Sequence, residues 1–193
     1  MKNFFVLPMI ILIGGFALGA CKVPPIEEMN KAADAVARAE NDDNAVIYAG
    51  NTLLRAREVL DKMKAEADSK RYDAAKNSAA EAIGLAEKAI ADGKNAAARA
   101  KDEAARLLAL VGTEIADTEG ELNSAVNAGN LILDVDRLEQ NFDTAKTGYE
   151  DARECMNGEN YQDAISKAQP VRPILADIRS QINQAAVEVS RKK

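Results

Sequence analysis

The chain has 193 residues, with 25 Lys and Arg against 31 Asp and Glu, a net charge of −6, 4% aromatic residues, no His and no Trp. This acidity argues against nucleic acid as the main partner and against a polybasic grip on anionic lipid, since both require clustered Lys and Arg. The lack of His removes the commonest general base and zinc ligand, and an Ala-rich sequence with few aromatics suits helical hairpins better than a compact globule.

Met1-Lys2-Asn3 is a short cationic start, and Phe4–Ala20 is an apolar stretch interrupted by Pro8 and Gly14-Gly15. Its roughly 17 residues fall short of the ~20 that a spanning helix needs, and fit a secretory signal over residues 1–20. Gly19 and Ala20 are small enough for a peptidase pocket. The tetrapeptide Leu18-Gly19-Ala20-Cys21 resembles the lipobox of bacterial lipoproteins. That resemblance implies a diacylglyceryl thioether on Cys21, cleavage before it, and acylation of the new terminus by a palmitate-type chain. Two or three acyl chains, at about 0.8 kcal/mol per buried methylene, make a stable membrane anchor. Lys22 stands where Gram-negative lipoproteins retained at the inner membrane carry Asp, so the resemblance implies the outer membrane, on its periplasmic or surface face. The alternative is an uncleaved signal anchor with Cys21 as an ordinary juxtamembrane residue.

Removal of residues 1–20 takes one cation, Lys2, and leaves a net charge of −7, one below the −6 of the whole chain. With Cys21 modified, Cys155 is the only thiol. It is expected to be a small half-buried hydrophobe, with a disulfide-linked homodimer as the alternative.

Lys22-Val23-Pro24-Pro25 is a stiff spacer, giving a tether over 21–25. A first helix is expected from Pro25 to about Glu40, with Met29, Ala32, Ala33, Val36 and Ala39 on one face. Asn41-Asp42-Asp43-Asn44 reads as a turn in which Asp43 or Asn44 caps the next helix; it lacks the spacing of a calcium loop. The second helix is expected over about Ala45–Asp68, with Leu53, Ala56, Leu60, Met63 and Ala67 inward. A third runs from Tyr72 toward Asn127, about 84 Å if unbroken, with Gly112 and Gly120 as expected bends or breaks. Its seam is Ala75, Ala79, Ala82, Ala86, Ala89, Gly93, Ala96, Ala100, Ala104, Leu107, Val111, Ile115, Leu122 and Ala125. Large residues from another helix must fill the alanine half. Asn127-Ala128-Gly129-Asn130 is a turn, a fourth helix spans about Asp134–Met156, and a fifth starts at Tyr161 and must kink or restart at Pro170 and Pro173.

The fold class is therefore all-α: elongated antiparallel hairpins or a coiled-coil-like bundle, with 26–127 as an N-terminal hairpin and 128–193 as a C-terminal one. Apolar positions repeat at a spacing of 89 residues: Leu53 with Phe142, Ala56 with Ala145, Tyr72 with Tyr161, Ala75 with Ala164, Ala79 with Ala168. Two copies of a hairpin repeat follow, in which 72–100 and 161–190 are expected to pack small against large. Tyr72-x-x-Ala75-x-x-x-Ala79 resembles part of a tetratricopeptide repeat, without that family's Trp, Gly and Pro positions. The stretch Pro25–Ala97, through Tyr48-Ala49, Leu53, Ala56-Arg57, Leu60, Tyr72 and Ala86, resembles a bacterial envelope domain of unknown function. That domain occurs in lipoproteins, sometimes ahead of an OmpA-like domain that this sequence does not carry.

No catalytic residue, cofactor site or metal site is expected. Glu27-Glu28 and Asp42-Asp43 are explained by a helix start and a turn, and Arg191-Lys192-Lys193 by a solvated tail. The expected function is a non-enzymatic, lipid-anchored envelope scaffold with a protein partner, with homo-oligomerisation left open. The alternatives are a transporter-associated or apolar-ligand-binding lipoprotein, and a peptidoglycan- or host-contacting surface protein.

Overall fold

The computed structural model describes residues 23–129 and 132–191. Cys21, the signal expected over 1–20, and Lys192-Lys193 lie outside them. All regular structure among the described residues is helical: α1 (Ile26–Glu40), α2 (Asp43–Tyr48), α3 (Gly50–Asp68), α4 (Tyr72–Ala128), α5 (Val135–Asn157), α6 (Tyr161–Ala168) and α7 (Val171–Arg191). The organising element is α4, whose 57 residues extend about 85 Å, and every other helix packs against it.

The first half of α4 packs with the helices that precede it. Ala75, Ala79, Ala82, Ala86 and Ala89 are buried with Val36 of α1, Ala45 of α2, and Leu53 and Met63 of α3. Lys76 Nζ pairs with Glu28 at 3.0 Å, so α1 runs parallel to α4 with its start level with the α4 start. Buried Ser78 donates its hydroxyl to Glu66 Oε2 at 2.7 Å, which ties the end of α3 to the start of α4 in an antiparallel hairpin. The second half packs with the helices that follow. Val111, Leu122 and Ala125 share a core with Leu138 and Phe142 of α5 and with Val171, Leu175 and Ile178 of α7. The Arg172 and Arg179 guanidinium groups donate from Nε and Nη2 to Glu114 and Glu121. Both pairs are 58 residues apart and seven residues separate them, so α7 lies parallel to α4 in one fixed register. Such exposed pairs contribute little energy, at most about 1 kcal/mol each; their role here is to set the register.

The expected packing of 72–100 against 161–190 is not found. The alanine seam receives its large partners from α1 and α3, whereas α6 and α7 lie along residues 100–125 of α4. Residues 100–128, placed in sequence with the N-terminal hairpin, thus share their core with α5–α7. The two corners nevertheless bond alike 89 residues apart. Arg71 N–H donates to Glu66 O at 2.8 Å, and Asn160 N–H to Cys155 O at 2.9 Å. Lys70 and Glu159 occupy the left-handed region at φ 59° and 61°.

Several local expectations are corrected. The second helix is interrupted at Ala49 (φ −126°), because the backbone of Asn44-Ala45 seats against Gly93 and turns α2 onto α4. The cap of α2 is Asp42, not Asp43 or Asn44; its Oδ1 accepts the Ala45 N–H at 2.8 Å. Ala35 rather than Ala33, and Ala97 rather than Ala96, are buried. Gly112 and Gly120 do not interrupt α4: Tyr149 lies over Gly112, and Gly120 faces open space. One glycine costs a helix about 1 kcal/mol, which packing on two sides outweighs. The restart at Pro170 is present, between α6 and α7.

A Cβ at Gly93 would lie 2.5 Å from Asn44 O and 2.6 Å from Ala45 N, so Gly93→Ala should destabilise the protein by about 1–3 kcal/mol. Gly84→Ala and Gly120→Ala meet nothing within 4 Å and should stabilise it by about 0.5–1 kcal/mol, all three variants being compared by urea denaturation. The Lys76 ammonium also holds the Glu28 carboxyl below its ordinary pKa. A lowered folded-state pKa means this pin contributes above the ordinary carboxylate range and is lost as pH falls through the lowered value. Lys76→Met should return the Glu28 carboxyl toward its ordinary value in a carbon-detected NMR titration.

Candidate interaction surfaces

The two groups of helices meet at a waist. Tyr161, at the start of α6, is 9% exposed and packs with Ala100 and Ala104 of α4 and with Ile165, while Tyr48, Cys155 and Met156 close the sides. Lys101 Nζ lies 5.9 Å from the Tyr161 ring centroid. Burial, then the proximity of Tyr161 and Asp163, raises the pKa of the Tyr48 phenol, which keeps it protonated and suits packing rather than base chemistry. Tyr72 and Tyr161, equivalent in sequence spacing, are not brought together. Tyr72 is half-buried at the start of α4, about 42 Å along that helix from the level of Ala100.

Of the carboxylates singled out in sequence, three have structural partners and Asp43 lies in the first turn of α2. Glu27 accepts from Lys31 at 2.6 Å, Glu28 pairs with Lys76, and Asp42 caps α2. Among the described residues no group of three or more Cys, Asp or Glu is placed to hold a metal ion, and no helix is long and apolar enough to cross a membrane. Cys155 is a half-buried free thiol at the waist. Arg191 is exposed.

Val46 and Ile47 of α2 and Leu54 of α3 are exposed apolar residues on the first half of the molecule, and two further surfaces lie along the second half. Where Pro170 breaks the helix between α6 and α7, an open trough of about 760 Å³ runs between α4 and α7, floored by Leu107, Leu110 and Pro173 and rimmed by Arg99, Asp102 and Arg106. Leu110 is 45% exposed in it. At the far end, Val126 of α4 (40%), Ile132 of the α4–α5 loop (81%) and Val187 of α7 (47%) are exposed apolar residues. The register set by Glu114–Arg172 and Glu121–Arg179 brings Val187 level with the end of α4, so these three share one tip. Neither of these two surfaces is legible in the sequence. Isolated apolar residues at helix ends carry no periodic signal, and only the α7 register collects them.

No family model, no curated protein and no solved structure matches the chain.

If Tyr161 joins the two halves, Tyr161→Ala should cost about 3–5 kcal/mol, as deletion of a buried aromatic does, and should lower hydrogen-exchange protection across α6. Tyr161→Phe keeps the ring and should stay within about 1 kcal/mol of the parent in the same denaturation series.

Proposed function

We propose that this protein is a lipid-anchored component of the bacterial cell envelope that works without catalysis, as a rigid helical spacer and protein-interaction module. The observation that carries this is α4: one uninterrupted helix of 57 residues, braced along both halves, whose ends stand about 85 Å apart. A braced rod holds two attachment points at a set separation, which is mechanical work rather than chemistry.

The two ends differ in the way a spacer requires. The described chain starts at Val23, level with the start of α4, so the anchor assigned to Cys21 by its lipobox would hold that end at the membrane. Val126, Ile132 and Val187 occupy the opposite end and offer an apolar contact to a protein partner. Under the same lipobox resemblance, Lys22 in place of Asp favours the outer membrane. The two similar corners at Lys70-Arg71 and Glu159-Asn160 support a body built from two related hairpins sharing one long helix. The trough at Leu107, Leu110 and Pro173 supports a second reading, an accessory lipoprotein that takes an apolar ligand or peptide in that groove.

Mass spectrometry of native protein should find Cys21 as the first residue, carrying a glyceride adduct, and Cys21→Ser should move the protein from the membrane to the released fraction. A photo-crosslinker at Val187 should trap a discrete protein in intact cells, with one at Leu110 giving none. Trapping from Leu110 instead would favour the groove reading, and a free Cys21 in protein washed off membranes would refute the anchor.

A further inference from the structure

We infer that the tip of the rod takes the α3–α4 corner of a second copy, so that molecules join head to tail; this rests on the interaction-module reading above and names its partner. The chain makes one contact of this kind within itself. At the waist the α5–α6 corner, with Met156, Tyr161 and Ile165, seats on the end of the first helical group, at Tyr48 of α2 and at Ala100 and Ala104 of α4. One corner and one group end are then left over. The α3–α4 corner makes the same backbone bonds as the seated one: Lys70 N–H donates to Ala67 O at 2.9 Å, as Glu159 N–H does to Met156 O at 3.2 Å. Its half-buried Tyr72 stands where the seated corner has Tyr161. The free group end is the tip. Like the end at the waist, it closes a pair of parallel helices, here α4 with α7 instead of α1 with α4.

Side-chain sizes favour the chain's own corner as the occupant. At the waist the group end is small and the corner is large; at the free pair the sizes are exchanged. The spacing of 89 residues puts Val189 at the place of Ala100, and Ala67 at the place of Met156. Val126, Ile132 and Val187 add exposed aliphatic volume at the tip, and Val23 and Ile26 at the corner end. Charge does not select the partner, because Asp68 and Asp73 offset Lys70 and Arg71. Helix lengths fit as well. At the same spacing Lys76 takes the place of Ile165, and the 58-residue register of Glu114–Arg172 then sets Glu28, its partner, at the place of Leu107. On that scale α1 of an incoming copy starts at the place of Ala105, and α7 of the receiving copy ends at the place of Asp102. The two helices therefore abut along the line that α4 follows unbroken through the waist. A head-to-tail contact does not close on itself, so it generates an open row of copies at intervals of about one rod length, ~85 Å. Cys21, just before Val23, would put one anchor at each junction.

The test uses full chain in isolated membranes, in a Cys155→Ala background. Ser69→Cys marks the corner and Ser190→Cys the tip. At the spacing of 89, Ser190 stands at the place of Lys101, whose Nζ lies 5.9 Å from the Tyr161 ring centroid. A short bismaleimide should link the double variant into a ladder of dimers, trimers and longer rows. The two substitutions on separate chains in one cell should give dimers only, and either one alone should give none. Val187→Asp, which would bury a charge in the contact, should lower the linked fraction about 10-fold or more while helical circular dichroism is unchanged. Absence of the ladder overturns the head-to-tail contact, as does a ladder that Val187→Asp leaves intact. Dimers from either single variant would assign a symmetric contact and overturn it too. An adduct with a different protein would overturn the second copy as partner and leave the interaction module standing. Protein in the wash rather than the membrane pellet refutes the anchor alone, and the effect of Val187→Asp on the ladder still decides the contact.

Discussion

A single ladder of backbone hydrogen bonds from Tyr72 to Ala128 determines where the rest of the molecule lies. An isolated helix of that length would fray and bend in water, particularly with glycines at 84, 93, 112 and 120. It persists because one group of helices covers its first half and another its second, so the helix is never left with a long unsupported stretch. The dependence runs both ways. The helices of each group also pack on one another, and each group completes its core against α4.

The two halves solve their packing differently. Along Ala75–Ala89 the buried apolar positions of the spine are all alanine, with Ile83 and Leu85 only partly buried at the sides, so the neighbouring helices come close and Val36, Leu53 and Met63 supply most of the apolar volume. Along Leu108–Leu122 the spine brings its own branched side chains, which meet Phe142, Leu175 and Ile178. Burial of apolar area, at about 25 cal/mol per Å², favours the second half per residue, while the first gains from close approach of the helices. The waist at Tyr161 lies where one regime gives way to the other, and a ring fills the step between a narrow and a wide interface.

Much of this was legible in the sequence. The period of the apolar residues located each long helix, and Leu53, Ala56, Met63, Leu138, Phe142, Ala145, Leu175 and Ile178 are buried as their spacing implied. Errors arose where neighbouring positions have the same chemistry: Ala96 and Ala97, or Ala33 and Ala35, are equally apolar, and only contact with a particular neighbour decides between them. The bend at Ala49 depends on a backbone seat at Gly93, 44 residues away, which no local signal announces. The partner of the alanine seam is α1 and α3 rather than 161–190, because periodicity reports which face is inward and not which helix covers it. The candidate surfaces were less legible still. Val126, Ile132 and Val187 come from three elements that only the α7 register brings to one level, and the chemistry of Cys21 rests on sequence alone.

Both sharp bends place a residue with a side chain, Lys70 and Glu159, in the left-handed region. The second bend has a glycine directly before that position, Gly158, which stays at φ −82° and leaves its own freedom unused. An L-residue held there costs about 1–2 kcal/mol relative to a right-handed conformation, a cost glycine does not bear. The fold thus tolerates avoidable torsional strain at both of its corners. A protein with this much helical packing can carry it, and the side chains kept there are free to differ between the two bends while the backbone path stays the same.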